Sequence, residues 1–468
     1  MKKQLLLFVS ILAVHAIGHA QLRIPNVLSD NMVLQRNTAA NIWGWGRASS
    51  LVSVKASWLA DTVKTHADGG GRWILQLPTG EAGGPYEMTI NSGGEQIRLQ
   101  NILLGDVWVV SGQSNMEWGG DQNLPEILEE LPKANDANIR LLQVSRNVAE
   151  YPQDDIPNTW QTLSAQSLKP FSAIGYFIAK DFRAELGVPI GVINASWGGT
   201  PAEVWTPEHM IFHDPELYQA ALKQEANAYR PHQAGHLWNS MIYPLTPFAI
   251  SGAFWYQGES NISTWPTYDK LMRTMVNSWR MAWNNEFPFY FVQIAPFAYN
   301  NRLPVASYLR EQQEKTAKLL PNSQMVVITD LVDDINDIHP IQKRAVANRL
   351  AKIALNDHYH RRSDRDYISP QYAGHEVSGN TVTVWFDHLQ GGLEVKGDEI
   401  TELYIAGADR VFHPAIGQIQ GSTLKVSSPK VKNPVAVRFG FTETAMPNLF
   451  NTQGLPVSPF RTDKWNDL

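Results

Sequence analysis

The chain of 468 residues contains no cysteine, so neither a disulfide nor a thiolate metal site contributes to its folding. Beyond the N-terminus it has no apolar run approaching the ~18 residues that a spanning helix needs, which predicts no membrane span. Positive charge is not in excess: 39 Lys and Arg stand against 45 Asp and Glu, for a net charge of −6. That balance argues against nucleic acid or an anionic membrane as a partner. Internal repeats and low-complexity tracts are missing too, and with 43% apolar and 18% charged residues the composition is that of an ordinary globular protein. The core must therefore supply the stability.

The first segment to set aside is 1–20. Lys2 and Lys3 precede a nearly unbroken apolar stretch from Leu5 to Ala16, and Gly18-His19-Ala20 forms a small-residue cleavage site before Gln21. This pattern reads as a secretory signal peptide and predicts a periplasmic or secreted protein. The mature chain from Gln21 onward is long enough for two or three domains. The unusual compositional feature is 16 tryptophans, large amphipathic surfaces suited to core packing and to stacking on sugar rings.

Residues 21–100 alternate short β-like runs with Gly-rich breaks, as in Arg72-Trp73-Ile74-Leu75-Gln76-Leu77 and Tyr86-Glu87-Met88-Thr89-Ile90. They read as an N-terminal β-sandwich. From 101 to 360 the pattern changes. Val107–Val110, Ile190–Ile193, Ala253–Tyr256, Phe289–Ile294 and Met325–Ile328 are continuous apolar runs, expected of strands covered on both faces. Between them Phe171, Ile174, Phe177, Ile178 and Phe182, and later Leu271, Met275, Trp279 and Trp283, recur at helical spacing. The alternation predicts an α/β fold, a doubly wound parallel sheet. Residues 361–446 return to strand-like segments and form a C-terminal β domain, and 447–468 read as a tail packing back on the body.

Chemistry gathers where the predicted strands of the middle domain end. Gly112-Gln113-Ser114-Asn115-Met116 follows Val107–Val110, and Asn194-Ala195-Ser196-Trp197-Gly198-Gly199-Thr200 follows Ile190–Ile193. Gln257-Gly258-Glu259-Ser260-Asn261 and Asp333-Asp334-Ile335-Asn336-Asp337-Ile338-His339-Pro340 come after the later strands. In an open α/β sheet such loops share the carboxyl edge, where ligands bind. A serine hydroxyl is a weak nucleophile and needs a base within hydrogen-bond reach, and imidazole suits that role near neutral pH. Ser114 is thus the candidate nucleophile and His339 the candidate base. The backbone N–H groups of Ser114 and of Gly198 or Gly199, with the side-chain amide of Asn261, are candidate donors to an oxyanion. Each feature also has a plain structural reading: glycines for tight turns, Asn261 as a helix cap, His339 at a helix start.

The chain resembles the sialate O-acetylesterases of the SGNH hydrolase superfamily. The resemblance is carried by Gly112-Gln113-Ser114-Asn115-Met116-Glu117-Trp118, Ser196-Trp197-Gly198-Gly199-Thr200-Pro201-Ala202-Glu203-Val204-Trp205, Trp255-Tyr256-Gln257-Gly258-Glu259-Ser260-Asn261, and Asp337-Ile338-His339-Pro340 with Lys343. It implies an SGNH-type, flavodoxin-like catalytic domain and a serine esterase that needs no metal or other cofactor. O-acetylated sialic acid, or more broadly an acetylated glycan, is the implied substrate. Gln113, Asn115, Trp197, Gln257 and Glu259 are the candidate substrate contacts; bracing of the loop is the alternative for Gln257 and Glu259, and core packing for Trp197, as for Trp118 and Trp205.

One position departs from the pattern of the superfamily. The acidic triad member commonly lies three residues before the histidine, and Asn336 stands there. An amide cannot supply the charge that stabilises an imidazolium, so Asp337 becomes the candidate orienter, with Asp334, Asp333 or a simple Ser-His dyad as alternatives. A sialic acid site also calls for a cation to meet the sugar carboxylate, preferably arginine with its matching fork; Arg140, Arg230, Arg302 and Arg310 are available. Two other readings stay open. One is an acetylxylan or other polysaccharide O-acetylesterase, and the other a non-catalytic carbohydrate-binding protein.

Overall fold

The computed structural model describes residues 21–301, 303–361 and 367–465; the predicted signal peptide lies outside them. The centre of the molecule is a parallel sheet built from β1 (Glu95–Gly112), β2 (Ile139–Gln143), β3 (Ile190–Ser196), β4 (Gly252–Tyr256), β5 (Phe289–Val292) and β6 (Ser323–Val326). Their spatial order is β6-β5-β4-β1-β3-β2, with every neighbouring pair parallel. After β1 the chain builds to one side through β2 and β3, then crosses to the other for β4. The crevice at the carboxyl end of β1 is therefore the topological switch point.

Alternation along the strands places side chains on two separate cores. Val107 and Val109 of β1 and Trp255 of β4 pack with Met275 and Trp279 of α3 (Tyr268–Trp283). Trp108 and Val110, with Phe254 and Tyr256, face the other way and pack with Ile174 and Phe177 of α2 (Ala173–Leu186) and with Leu350 and Ile353 of α5 (Lys343–Asp357). Coverage on both faces explains why these strands read as continuous apolar runs. Local chemistry ends the helices: the Ser172 hydroxyl accepts from Gly175 N–H at 3.0 Å to cap α2, and Gly187 closes it at φ 70°.

The N-terminal strands form two groups. Ala39–Trp45 pairs with Arg72–Pro78, while Leu51–Ala56 lies between Val63–His66 and Gly83–Ser92. Gly83–Ser92 in turn pairs with the first half of β1. The end of the predicted N-terminal domain at 100 and the predicted strand Val107–Val110 belong to one strand, which serves the antiparallel N-terminal sheet first and the parallel sheet afterwards. Asn101 stands at the changeover with φ 56°, a conformation asparagine tolerates better than most residues. The pairing with Gly83–Ser92 shifts register there, and the strand runs on.

Antiparallel sheets follow at the C-terminus, one of Gln371–Ser378, Thr381–Asp387, Thr423–Ser427 and Ile416–Gln420, another containing Leu403–Ala406 and Ala436–Phe439. Phe460–Arg461 joins the second. Arg461 also meets Glu311 of α4 (Val305–Leu319) at 2.9 Å, and the Ser458 hydroxyl donates to Glu314 at 2.6 Å, so the last segment is clasped onto a helix of the central unit. No helix among the described residues is long and apolar enough to cross a membrane.

Candidate active site

β1 ends at Gly112, whose φ of 135° is open to glycine and costly for other residues. A Cβ there would fall 2.2 Å from the Tyr256 carbonyl oxygen, so the missing side chain is what lets the ends of β1 and β4 close together. Gln113 N–H then donates to that same carbonyl at 3.0 Å. Ser114 opens the short helix α1 (Ser114–Glu117). Its N–H stands where a helix has no internal acceptor to offer.

His339 arrives from the loop between β6 and α5. Its Nε2 lies 2.9 Å from Ser114 Oγ, and its ring stacks on Trp118 with centroids 3.8 Å apart and planes 20° from parallel. Asp337 Oδ1 accepts the His339 backbone N–H at 2.9 Å and stands 3.4 Å from Nδ1. The other acids of the loop are occupied elsewhere: Asp334 accepts from Asn336 N–H, and Asp333 from Gln342 and Ile341. Burial lowers the His339 pKa from its ordinary value, and the nearby Lys343 cation lowers it further, while Asp337 opposes them. Both dominant effects favour the neutral imidazole, the form able to accept a proton from serine.

Several predicted substrate contacts turn out to brace the site from below. Asn115 is buried; its Nδ2 donates to Glu259 Oε1 at 2.8 Å and to the Ile338 carbonyl at 3.0 Å, and its Oδ1 accepts from Lys343 Nζ at 2.6 Å. Glu259 is buried as well, and its second oxygen has no partner among the described residues. Desolvation raises its pKa, against the pull of Asn115 and Lys343. Gln257 is fully enclosed, donating to the Thr200 carbonyl and to Asn261 Oδ1 and accepting from Tyr268. Asn115 and Gln257 are thus committed to protein partners, and Glu259 is tied to Asn115 through one of its two oxygens. Gln113 is also nearly enclosed, its Oε1 accepting from Gly258 and Ser260 N–H at 3.4 and 3.3 Å.

The expectation that Asn261 donates to an oxyanion is corrected. Its side chain is 0% exposed, and Nδ2 donates to Glu203 Oε2 at 2.8 Å and Thr264 Oγ1 at 3.1 Å. Oδ1 accepts from Ala202 N–H and Gln257. A buried amide must satisfy both ends, and Glu203 claims the N–H that the spacing assigned to the substrate. Trp205 is likewise core, with its indole N–H donated to Thr200.

The two glycines divide the remaining work. A Cβ on Gly198 would stand 3.4 Å from Ser114 Cβ, which places this backbone beside Ser114, but Gly198 N–H already donates to Glu117 Oε2 at 2.8 Å. Gly199, at φ 71°, donates its N–H to no acceptor among the described residues. Glu117, three residues beyond Ser114 in the same motif, was assigned no role from the sequence. Its Oε1 is held by Arg146 at 2.6 Å, and burial raises its pKa against that ion pair. Trp197 is half-buried, with the Arg146 guanidinium 5.9 Å above its ring. Of the arginines named for a substrate carboxylate, Arg140 is buried against Asn101 and Arg310 against the Thr442 and Glu443 carbonyls. Arg302 lies outside the described residues. Arg230 is the one beside the site: its Cδ would be 3.1 Å from a Cβ on Gly199.

A hydroxyl–imidazole pair at the switch point of a parallel α/β sheet is the equipment of acyl transfer, and the relatives agree. The model of the carbohydrate esterase family of sialic acid-specific acetylesterases matches residues 104–356. The chain is 30% identical over 367 residues to the sialate O-acetylesterase of Homo sapiens, spanning 70% of this chain and 69% of that protein. Against the sialate O-acetylesterase of Rattus norvegicus it is 28% identical over 390 residues, spanning 70% of this chain and 72% of that protein. A solved structure of a carbohydrate acetylesterase from Xanthomonas citri matches with TM-score 0.87 and 35% identity, over 95% of this chain and 100% of that one. The protein is a carboxylic ester hydrolase. Within that class, the chain belongs to the sialic acid-specific acetylesterase family.

Proposed function

We propose that this esterase removes O-acetyl groups from sialic acids through an acetyl-enzyme on Ser114, with an SGNH-type catalytic unit. The observation that carries the mechanism is the 2.9 Å contact between Ser114 Oγ and His339 Nε2. Neutral His339 takes the hydroxyl proton as Ser114 attacks the acetyl carbonyl. The oxyanion is met by the N–H groups of Ser114 and Gly199, the donors not committed to another side chain. His339 then returns the proton to the departing sugar oxygen, and water repeats the sequence on the acetyl-enzyme. Asp337 orients the ring and offsets its positive charge, Trp118 holds it by stacking, and Trp197 lines the sugar side. The steps call on no cofactor.

Sialic acid as the substrate is supported by the family match and by the named activity of the mammalian relatives. A polysaccharide O-acetylesterase is the second reading, favoured by the likeness to the Xanthomonas citri carbohydrate acetylesterase along nearly the whole chain. Acetate release from O-acetylated sialic acid and from acetylated xylan, measured side by side with Ser114→Ala as the blank, tests both. Release mainly from the sialic acid upholds the first reading, release mainly from xylan the second, and none from either removes the catalytic assignment in favour of sugar binding alone. The leader at 1–20 supports export to the periplasm or the medium, which N-terminal sequencing of the secreted protein checks.

A further inference from the structure

Two guanidinium groups adjoin the Gly198-Gly199 turn that packs on Ser114, Arg146 through Glu117 and Arg230 directly, and they differ in one respect. Arg146 is neutralised by Glu117, with Nε 2.6 Å from the carboxylate. Arg230 has no ion pair and no side-chain hydrogen bond among the described residues, and its Nη1 is buried without an acceptor. A buried donor left without an acceptor is destabilising, more so when it carries charge. The surrounding acids do not relieve it. Glu203 is turned to Asn261 and Gln224, and desolvation raises its pKa; Glu225 acts on Arg230 only through space. Burial correspondingly lowers the Arg230 pKa from its ordinary value.

The position of this unpaired cation is set by the oxyanion loop. Gly199 packs against Arg230 Cδ, and Gly198, one Cα step of about 3.8 Å away, packs against Ser114. A side chain at 199 would press on Arg230, so the glycine that frees a backbone N–H also makes room for the guanidinium. Nη1 is enclosed by protein, and neither Nε nor Nη2 has a protein partner among the described residues, so the fork that lies against Gly199, next to the glycine that packs on Ser114, matches a carboxylate on the same substrate.

We propose that Arg230 is the receptor for the carboxylate of an acidic sugar whose O-acetyl group is presented to Ser114. The inference rests on the sialic acid reading and assigns the residue that selects an acidic over a neutral acetylated sugar. Arg146 does not serve, because its charge is committed to holding Glu117 against Gly198.

The test compares acetate release from 9-O-acetyl-N-acetylneuraminic acid and from its C1 methyl ester, which keeps the sugar and removes the charge. The natural protein is expected to prefer the acid by at least about tenfold in kcat/KM, the size of one charge-assisted hydrogen bond. In Arg230→Gln this preference falls to near one, and in Arg230→Lys part of it returns. A merely structural role lowers both substrates together and leaves the ratio as it was, which overturns the proposal. Calorimetry on Ser114→Ala, with Arg230 in place, gives a second reading: sialic acid must bind more tightly than its methyl ester, and equal binding also overturns it. If the natural protein deacetylates xylan but not O-acetyl sialic acid, the substrate reading fails, and the inference fails with it. Activity on the sialic acid with an unchanged ratio in Arg230→Gln refutes the inference alone.

Discussion

Asn115 Nδ2 donates to the carbonyl oxygen of Ile338 at 3.0 Å, which ties the residue after Ser114 to the residue before His339. The same amide receives Lys343 and reaches Glu259. Three chain segments far apart in sequence are thereby registered at one side chain. The distance between Ser114 and His339 is set by this brace as much as by either loop alone.

Asn115→Ala is therefore expected to lower kcat about 100-fold, the usual penalty for a small misplacement of reacting groups, with little change in KM. Steady-state kinetics separate the two parameters. A rise in KM at unchanged kcat would return Asn115 to the role of a substrate contact.

Ser114→Ala and His339→Ala should each lower turnover by roughly five to six orders of magnitude, since such groups act as a unit. Asp337→Asn is expected to cost less, about 100-fold. Asp337 is 56% exposed and lies at 3.4 Å from the ring nitrogen, so water shares its work. Turnover that is unchanged in Asp337→Asn would leave a Ser-His dyad.

The acid limb of kcat/KM reports the free base. Because burial and Lys343 hold the His339 pKa below the ordinary 6.5 of an imidazole, activity should persist into more acidic solution than a free imidazole would allow. Asp337 raises that pKa, so Asp337→Asn moves the limb to still lower pH. A shift to higher pH in that variant contradicts the assignment.

Burial lowers Lys343 from 10.5 to about 7. The unfolded lysine keeps its proton well above neutrality, so between about pH 7 and 9 the unfolded chain binds more protons than the folded one. Stability from this group then increases with pH by up to ~1.4 kcal/mol per unit, and its cost is fully present below about pH 7. Denaturant melts of the natural protein and Lys343→Met across that range should show the slope only in the former.

Asn261→Ala should act mainly on stability. It strands Glu203, Gln257 and the Ala202 N–H in a dry environment, at a cost of at least about 2 kcal/mol. Chemical unfolding measures this. A variant of unchanged stability that loses turnover would restore Asn261 to the oxyanion site.

The parallel sheet was legible because its strands are covered on both faces. Runs such as Ala253–Tyr256 had to be apolar throughout, while the helices between them kept a single apolar stripe. That the loops carrying Ser114, Gly198-Gly199 and His339 meet was legible for a related reason: they follow strand ends, where small and polar residues interrupt apolar runs. The continuity of β1 past Asn101 was not, since a polar, turn-favouring residue looks like a boundary until the strands that pair on either side of it are known.

By itself the sequence determined which local structures form and which reactive groups the loops carry, because turn chemistry and apolar periodicity are properties of adjacent residues. Tertiary structure alone decided how those groups are used. Asn261 and Gln257 carry the same amides in either role, and only the arrival of Glu203, Tyr268 and Thr200 commits them to the interior. Glu117 takes the Gly198 N–H, Lys343 donates to Asn115, and Arg230 packs its Cδ on Gly199 while its Nη1 is left without a partner. Each outcome depends on which donors and acceptors meet once water is excluded, and those partners lie tens to hundreds of residues apart along the chain.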